Sequence, residues 1–463
     1  MSKLERDTYS FKENNEREVE QFVGIEAFAT HNLGVIGGEY KKEFKDFIVR
    51  EIDKNGNILE IQVDSSAPSF SKELKDRYTT FNLIKINKDT FDALRKIRKA
   101  LNISSNLIYY SGLKDKFSIS VQKISIKGDY IEKLKNLKIK DIFLRNIIPT
   151  KKPVKLGSHW GNNFTIVLRN INDDKNLRYK VEEYVKFLSN FGFPNYFGLQ
   201  RFGSYRPNSH KVGYYLLEGN FKNAFEEFVS TTYSTESMES KIARRAFRKT
   251  RNLEKAYNEF PNRLNYEKNM IRHLIENPED YEGSINTLPY NLKKLLISSF
   301  QSYIFNKMVS KRVEKGISLF KPIKGDVISI LDDFNGNTTL VKYIYGNSYD
   351  SYLEEALNQN RATIVIPIIG TNTNLDEFPF AKTLFEEIAK EENFDKHIFR
   401  NNVVNEQDFK GSIRAMMVKP TTLNFLELAD DDLNPGKKKV KFEFSLQKGT
   451  YATMLIREFI KQQ

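Results

Sequence analysis

Strand-like sequence stands at both ends of this chain, with a helical middle between. Near the C-terminus Val440, Phe442, Phe444 and Leu446 alternate with Lys441, Glu443 and Ser445, the period-two pattern of a strand with one buried face. Toward the N-terminus, residues 24–30, 34–41 and 46–51 alternate apolar and polar side chains after glycines and read as strands, as do residues 79–86, 121–126 and 164–168. From about residue 205 to 413 the texture turns helix-rich, polar and basic. Sheet formers at both ends argue that the ends build one mixed or antiparallel sheet and that the middle is inserted. The expected fold is therefore α+β: a discontinuous domain from residues 1–192 and 419–463, and an inserted helix-rich α+β domain at 193–418. A chain of 463 residues is long enough for two such cores.

Three helices can be placed between the strands. Asp89 opens one in which Phe91, Leu94, Ile97 and Leu101 form an apolar stripe. Residues 179–190 bury Val181, Tyr184, Val185 and Leu188 before Gly192 and Pro194 stop the helix, and residues 292–315 place Phe300, Ile304 and Met308 on one face. Serines, Pro68 and mixed charges mark residues 64–75 as a loop. The chain has no cysteine, which excludes disulfides, thiol nucleophiles and Cys-ligated zinc; its five histidines show no metal-ligand spacing. No long apolar run is present, so the expectation is a cytoplasmic protein that does not enter a membrane. The formal charge of +13 suits a polyanionic partner, although it also serves solubility.

Chemistry concentrates in two stretches. In residues 112–122, Gly112 frees the backbone for a bend, and Asp115 stands between Lys114 and Lys116 just before a β-branched run. Neighbouring ammonium groups favour an ionised carboxylate, which can act as nucleophile or base. On its own such an Asp reads equally as a solvated turn residue. The second stretch, residues 195–203, reads Asn-Tyr-Phe-Gly-Leu-Gln-Arg-Phe-Gly.

Together the two resemble the signature motifs of the TruD family of pseudouridine synthases, G-x-K-D followed closely by Q, and N-Y-F-G-x-Q-R-F-G. Ser118 and Ser120 stand where many members carry Ala and Thr. Further matches are the D-F-x-V-x-E run at residues 46–51, L-G with G-N-x-F-x-x-x-L-R at residues 156–169, Q-S-x-x-F-N at residues 301–306, and the G-T-Y-A-T-x-x-x-R-E segment at residues 449–458. The resemblance implies a pseudouridine synthase catalytic domain with the family's own inserted TRUD domain, and tRNA held between them. It implies Asp115 as catalytic nucleophile and an active-site lysine at Lys41, with Lys42 one residue along. It also implies Phe197 stacking on the extruded base, and Asn195 orienting Asp115 or bonding the uracil edge. The usual substrate would be uridine 13 in the D arm of tRNA; other tRNA positions or other structured RNAs serve some relatives.

Such an isomerisation breaks the bond from C1′ to N1, turns the base and rejoins it at C5, so it needs a carboxylate, a cation and an aromatic plate but no cofactor or metal. Lys114, Gln200 and Arg201, and Arg245 and Arg248 from the basic run Arg244, Arg245, Arg248, Lys249 and Arg251, are candidates for RNA contact. The chain is expected to be a monomer. Two other readings compete: a basic tRNA-binding or folding protein without turnover, and a base-removing glycosylase.

Overall fold

The computed structural model of the chain describes residues 8–9, 16–61, 78–203, 205–332, 336–395, 397–400 and 409–461. Two compact units are present, one from residues 30–193 with 418–461, the other from residues up to 29 with 194–417. The loop expected at residues 64–75 lies outside the described residues.

The first unit is built on nine strands: β1 (Glu39–Tyr40), β2 (Phe47–Ile52), β3 (Tyr78–Ile86), β4 (Ile108–Tyr110), β5 (Ile119–Lys127), β6 (Ile142–Thr150), β7 (Gly161–Asn172), β8 (Thr422–Asp430) and β9 (Lys437–Gln447). Their order across the sheet is β8-β9-β7-β2-β5-β3-β6, with β1 also paired to β7 and β4 to β5. Only β2 and β5 run parallel; the other pairings are antiparallel, which makes the sheet mixed. Strands from both ends of the chain meet at β7, where Ile166 lies opposite Phe442 on one side and Phe47 on the other.

Helix α1 (Thr90–Leu101) is capped by the Asp89 carboxylate, which accepts from the amides of Phe91 and Asp92, and ends at Asn102 in the left-handed conformation (φ 52°). Its Ala93, Leu94, Ile97 and Leu101 pack with Phe81, Leu83, Ile124 and Ile126 into one core. Phe91, expected in that stripe, is exposed and meets Tyr110 edge-to-face; the buried stripe runs through Ala93 instead. Toward the other end of the strand order α2 (Leu177–Phe191) and α3 (Ala452–Ile460) bring Tyr184 and Phe459 into ring contact, and Phe459 meets Phe442 of β9. Gly192 (φ 80°) ends α2 where an added Cβ would lie 2.3 Å from the Val418 carbonyl.

In the second unit the helix Tyr290–Glu314 is surrounded by shorter helices, and Gly213 lets the helix Ser209–Leu217 approach it closely. An antiparallel sheet, in the order Thr338–Ile344, Val327–Leu331, Ala362–Ile368 and Ser412–Ala415, completes this helix-rich α+β unit. Residues 24–30 are not the strand their alternation suggested. Three of their amides are taken by side chains, Glu26 by the Ser310 hydroxyl, Ala27 by the Tyr196 phenol and Thr30 by the Glu458 carboxylate, which leaves none of these three for a ladder. Asn306 Nδ2 donates to the Val23 carbonyl and the Ser310 hydroxyl to that of Gly24. Those bonds place residues 23–27 with the middle segment, not with the sheet-bearing unit to which the sequence had assigned them. Of residues 34–41, only Glu39–Tyr40 is strand.

Candidate active site

Asp115 stands in the loop between β4 and β5, its side chain 43 % exposed and paired with Lys41 Nζ at 2.9 Å. Lys41 comes from the turn after β1 and holds φ at 59°, a conformation that side-chain-bearing residues adopt at a cost. Its ammonium also lies 4.1 Å from the centre of the Phe47 ring, a cation–π contact that fixes where the charge sits. Lys42 turns to Glu39 instead.

The backbone around Asp115 is held by side chains that the alternating strands aim at it. Gln122, buried on β5, donates to the Gly112 carbonyl at 2.9 Å. Ser118 Oγ (2.8 Å) and Lys85 Nζ (2.6 Å) both donate to the Asp115 carbonyl, and Lys85 reaches the Lys114 carbonyl at 3.2 Å. The Thr90 hydroxyl accepts from the Lys114 amide at 3.2 Å. Glu51, at the end of β2, is buried and accepts from Ser111 Oγ (2.6 Å), Lys114 Nζ (2.9 Å) and the Lys123 amide (3.2 Å). The Glu of the D-F-x-V-x-E run thus ties β2 to the Asp115 loop. Its Asp, Asp46, takes a two-pronged bond from Arg169, at 2.9 Å on each oxygen.

Phe197 belongs to the second unit. Its amide donates to Asn306 Oδ1 (2.9 Å) and its carbonyl accepts from Asn306 Nδ2 (3.0 Å), so the last residue of the Q-S-x-x-F-N segment grips it from both sides of the peptide. The ring meets Phe305 edge-on and carries the Arg414 guanidinium 4.1 Å from its centre.

The sequence model described as tRNA pseudouridine synthase D (TruD) matches residues 22–459. The chain belongs to the TruD family. It is 33 % identical over 448 residues to a protein of Methanosarcina acetivorans named "Probable tRNA pseudouridine synthase D", covering 96 % of this chain and 97 % of that one. A protein of Methanocaldococcus jannaschii, named "Probable tRNA pseudouridine synthase D 1", is 31 % identical over 439 residues, with 92 % and 96 % covered. A crystal structure from Methanosarcina mazei that carries the TruD name superposes with a TM-score of 0.78 at 31 % identity, covering 96 % of this chain and 98 % of that one.

Against the TruD signatures, the expected site residues fall into three groups. Asp115 and Lys41 are brought together. Lys114, expected to contact RNA, is buried and neutralised by Glu51, because the alternation that exposes Asp115 turns its neighbour inward. Asn195 is buried with its amide already engaged: Nδ2 donates to the Ala415 carbonyl (3.0 Å) and Oδ1 accepts from Arg414 Nη2 (2.7 Å). It therefore holds Arg414, whose guanidinium lies over the Phe197 ring. Gln200 and Arg245 are exposed, and Arg248 is half-buried. Arg201 donates to Ser302 Oγ at 3.2 Å and lies 5.8 Å from the Phe197 ring centre. Arg414 and Lys85 were not singled out by sequence; each acts on a residue distant along the chain, and neither lies in a stretch matched to a motif. Among the described residues no group of His, Asp or Glu side chains could hold a metal ion, and no helix is long and apolar enough to cross a membrane.

Proposed function

We propose that this TruD-family chain converts uridine to pseudouridine in tRNA, with uridine 13 of the D arm as its substrate and Asp115 as the nucleophile. The observation that carries this reading is the Asp115 carboxylate, exposed on a loop whose Gly112, Lys114 and Asp115 carbonyls are held by side chains, with the Lys41 ammonium 2.9 Å away. The carboxylate adds to the ribose C1′ or to uracil C6, the C1′–N1 bond breaks, the base turns, and C5 bonds to C1′ as the carboxylate's own bond breaks and frees it; the C5 proton passes to solvent and N1 takes one up. Substrate and product are isomers, so the sum needs no oxidant or reductant. Extruding the base costs a few kcal/mol, which contacts to the RNA backbone must offset. The Phe197 ring supplies a stacking face, a contact that contributes about 1–3 kcal/mol per base. Phe197 is half-buried, and both its peptide groups are fixed by Asn306.

Tritium release from tRNA labelled at uracil C5 tests the role of Asp115. Release by the wild type and none by Asp115→Asn, with tRNA binding retained, is the expected result; equal release from both would remove Asp115 from the chemistry. A wild type that binds tRNA but releases no tritium would identify a binding protein, and free uracil a glycosylase. Mapping pseudouridine in tRNA from cells lacking the protein tests the position, with loss at uridine 13 expected.

A further inference from the structure

Strand β3 carries Phe81, Leu83 and Lys85 on the face that packs against α1. The first two are core, and Lys85 is as fully buried as they are. An ammonium in that position is costly unless something repays its lost hydration. Its hydrogen bonds go to the carbonyls of Lys114 (3.2 Å) and Asp115 (2.6 Å). Two carbonyls could be served by a neutral amide with no charge desolvated. A cation there is accounted for by an anion close by, and the charged groups that face Lys85 are Asp115 in the loop, Asp89 at the start of α1, and Lys114. Thr90 and Gln122, the polar side chains beside it, hold the same loop from α1 and β5.

We propose that Lys85 is a positioning residue for the reaction: its buried charge fixes the Asp115 backbone and sets a second positive centre, besides Lys41, behind the carboxylate. This rests on the reading of Asp115 as nucleophile. The site then has one cation on the Asp115 side chain, open to solvent, and one on its main chain, sealed from it. Because the second cannot be screened by water, its loss acts directly on the field at the carboxylate.

Burial, opposed by Asp115 and Asp89, draws the Lys85 pKa down from 10.5 to about 8. Between those two values the unfolded chain keeps the lysine proton and the folded chain has shed it, so this group makes the fold more stable as pH rises. A rate that declines above about pH 8 through Lys85 is therefore not unfolding.

The test is single-turnover pseudouridine formation on a tRNA transcript by the full chain, from about pH 6 to about pH 9, with tRNA affinity and melting temperature measured alongside. Wild type, Lys85→Gln, Lys85→Met and Asp115→Asn are compared. Lys85→Gln retains donors for the carbonyls but no charge. The expected result is a wild-type rate that falls with an apparent pKa near 8 while the melting temperature does not. For Lys85→Gln we expect a rate about 10²-fold lower, flat with pH, at unchanged tRNA affinity. Lys85→Gln with wild-type rate and the same alkaline limb would overturn the proposal, as would a wild-type rate that stays level across that range should the variants fail to fold. Turnover by Asp115→Asn would overturn both this inference and the reading it rests on. An inactive Asp115→Asn beside a wild-type-like Lys85→Gln would overturn this inference alone.

Discussion

Lys41 spends backbone strain to place one ammonium, with φ at 59° and Phe47 under the charge. Strain kept at a position that meets the carboxylate proposed as nucleophile is best explained by that meeting. Lys41→Met is expected to lower the single-turnover rate about 10²-fold with little change in tRNA affinity, whereas Lys42→Met, which removes one of the partners of Glu39, leaves the rate unchanged. Gln122 predicts a different outcome, since its amide works on the backbone. Gln122→Ala strands the Gly112 carbonyl and should destabilise the fold by about 1–3 kcal/mol, read from the denaturant midpoint, with activity falling as the loop loosens. The pairing of Asp115 with a lysine near residue 41 was legible because both sit in short, specific motifs. The employment of Asn195 was not. Its partner Arg414 lies 219 positions away, and a buried amide that serves a guanidinium reads in sequence like one waiting for a ligand.

Among the elements, β7 is held to its neighbours by a knot of charge at its far end. Arg169 bonds Asp46 from the turn before β2 and, at 2.7 Å each, Asp431 and Asp432 from the β8–β9 connection. Arg169→Met leaves Asp46 and Asp431 buried without their counter-ion, and is expected to cost about 3–5 kcal/mol in chemical unfolding. Burial works to raise the Asp431 pKa, but hydrogen bonds from Asn434, the amides of Asn170 and Leu433, and Arg169 outweigh it and hold it down at about 2, against an ordinary 3.8. The stabilisation is thus present above 3.8 and fades as pH falls toward 2. Melting temperature should drop through that window in the wild type and less steeply in Asp431→Asn. The sheet strands themselves were readable, since Phe164, Ile166 and Leu168 recur at every second position and are all buried. Alternation misled at residues 24–30, where side-chain acceptors replace a neighbouring strand, and along α1, where Phe91 lies just off the buried arc.

For the whole molecule, a net charge of +13 makes tRNA affinity fall with salt, as bound counter-ions return to solution. Arg245, exposed on its helix, should account for one such ion. Arg245→Ala is expected to reduce the slope of log affinity against log salt by about 1, measured by filter binding over a salt series. Arg244, next in line, is buried against Glu236 and Glu267 and belongs to the fold, a distinction that a basic run in sequence does not draw. The partnership of both chain ends in one sheet was legible because period-two patterns at each end leave faces that need covering. The allegiance of the described residues before 30 was not, because scattered contacts decide it: bonds to Tyr196, Asn306 and Ser310, and the pairing of Thr8–Tyr9 with Thr232–Tyr233. That sheet has a consequence in time. Strands β8 and β9 flank β7 only once residues 422–447 have left the ribosome, so the Asp115 loop stands on an unfinished platform for most of translation. A nascent chain stalled in the middle segment has every motif residue of its first half already made, yet lacks the two strands that complete its sheet.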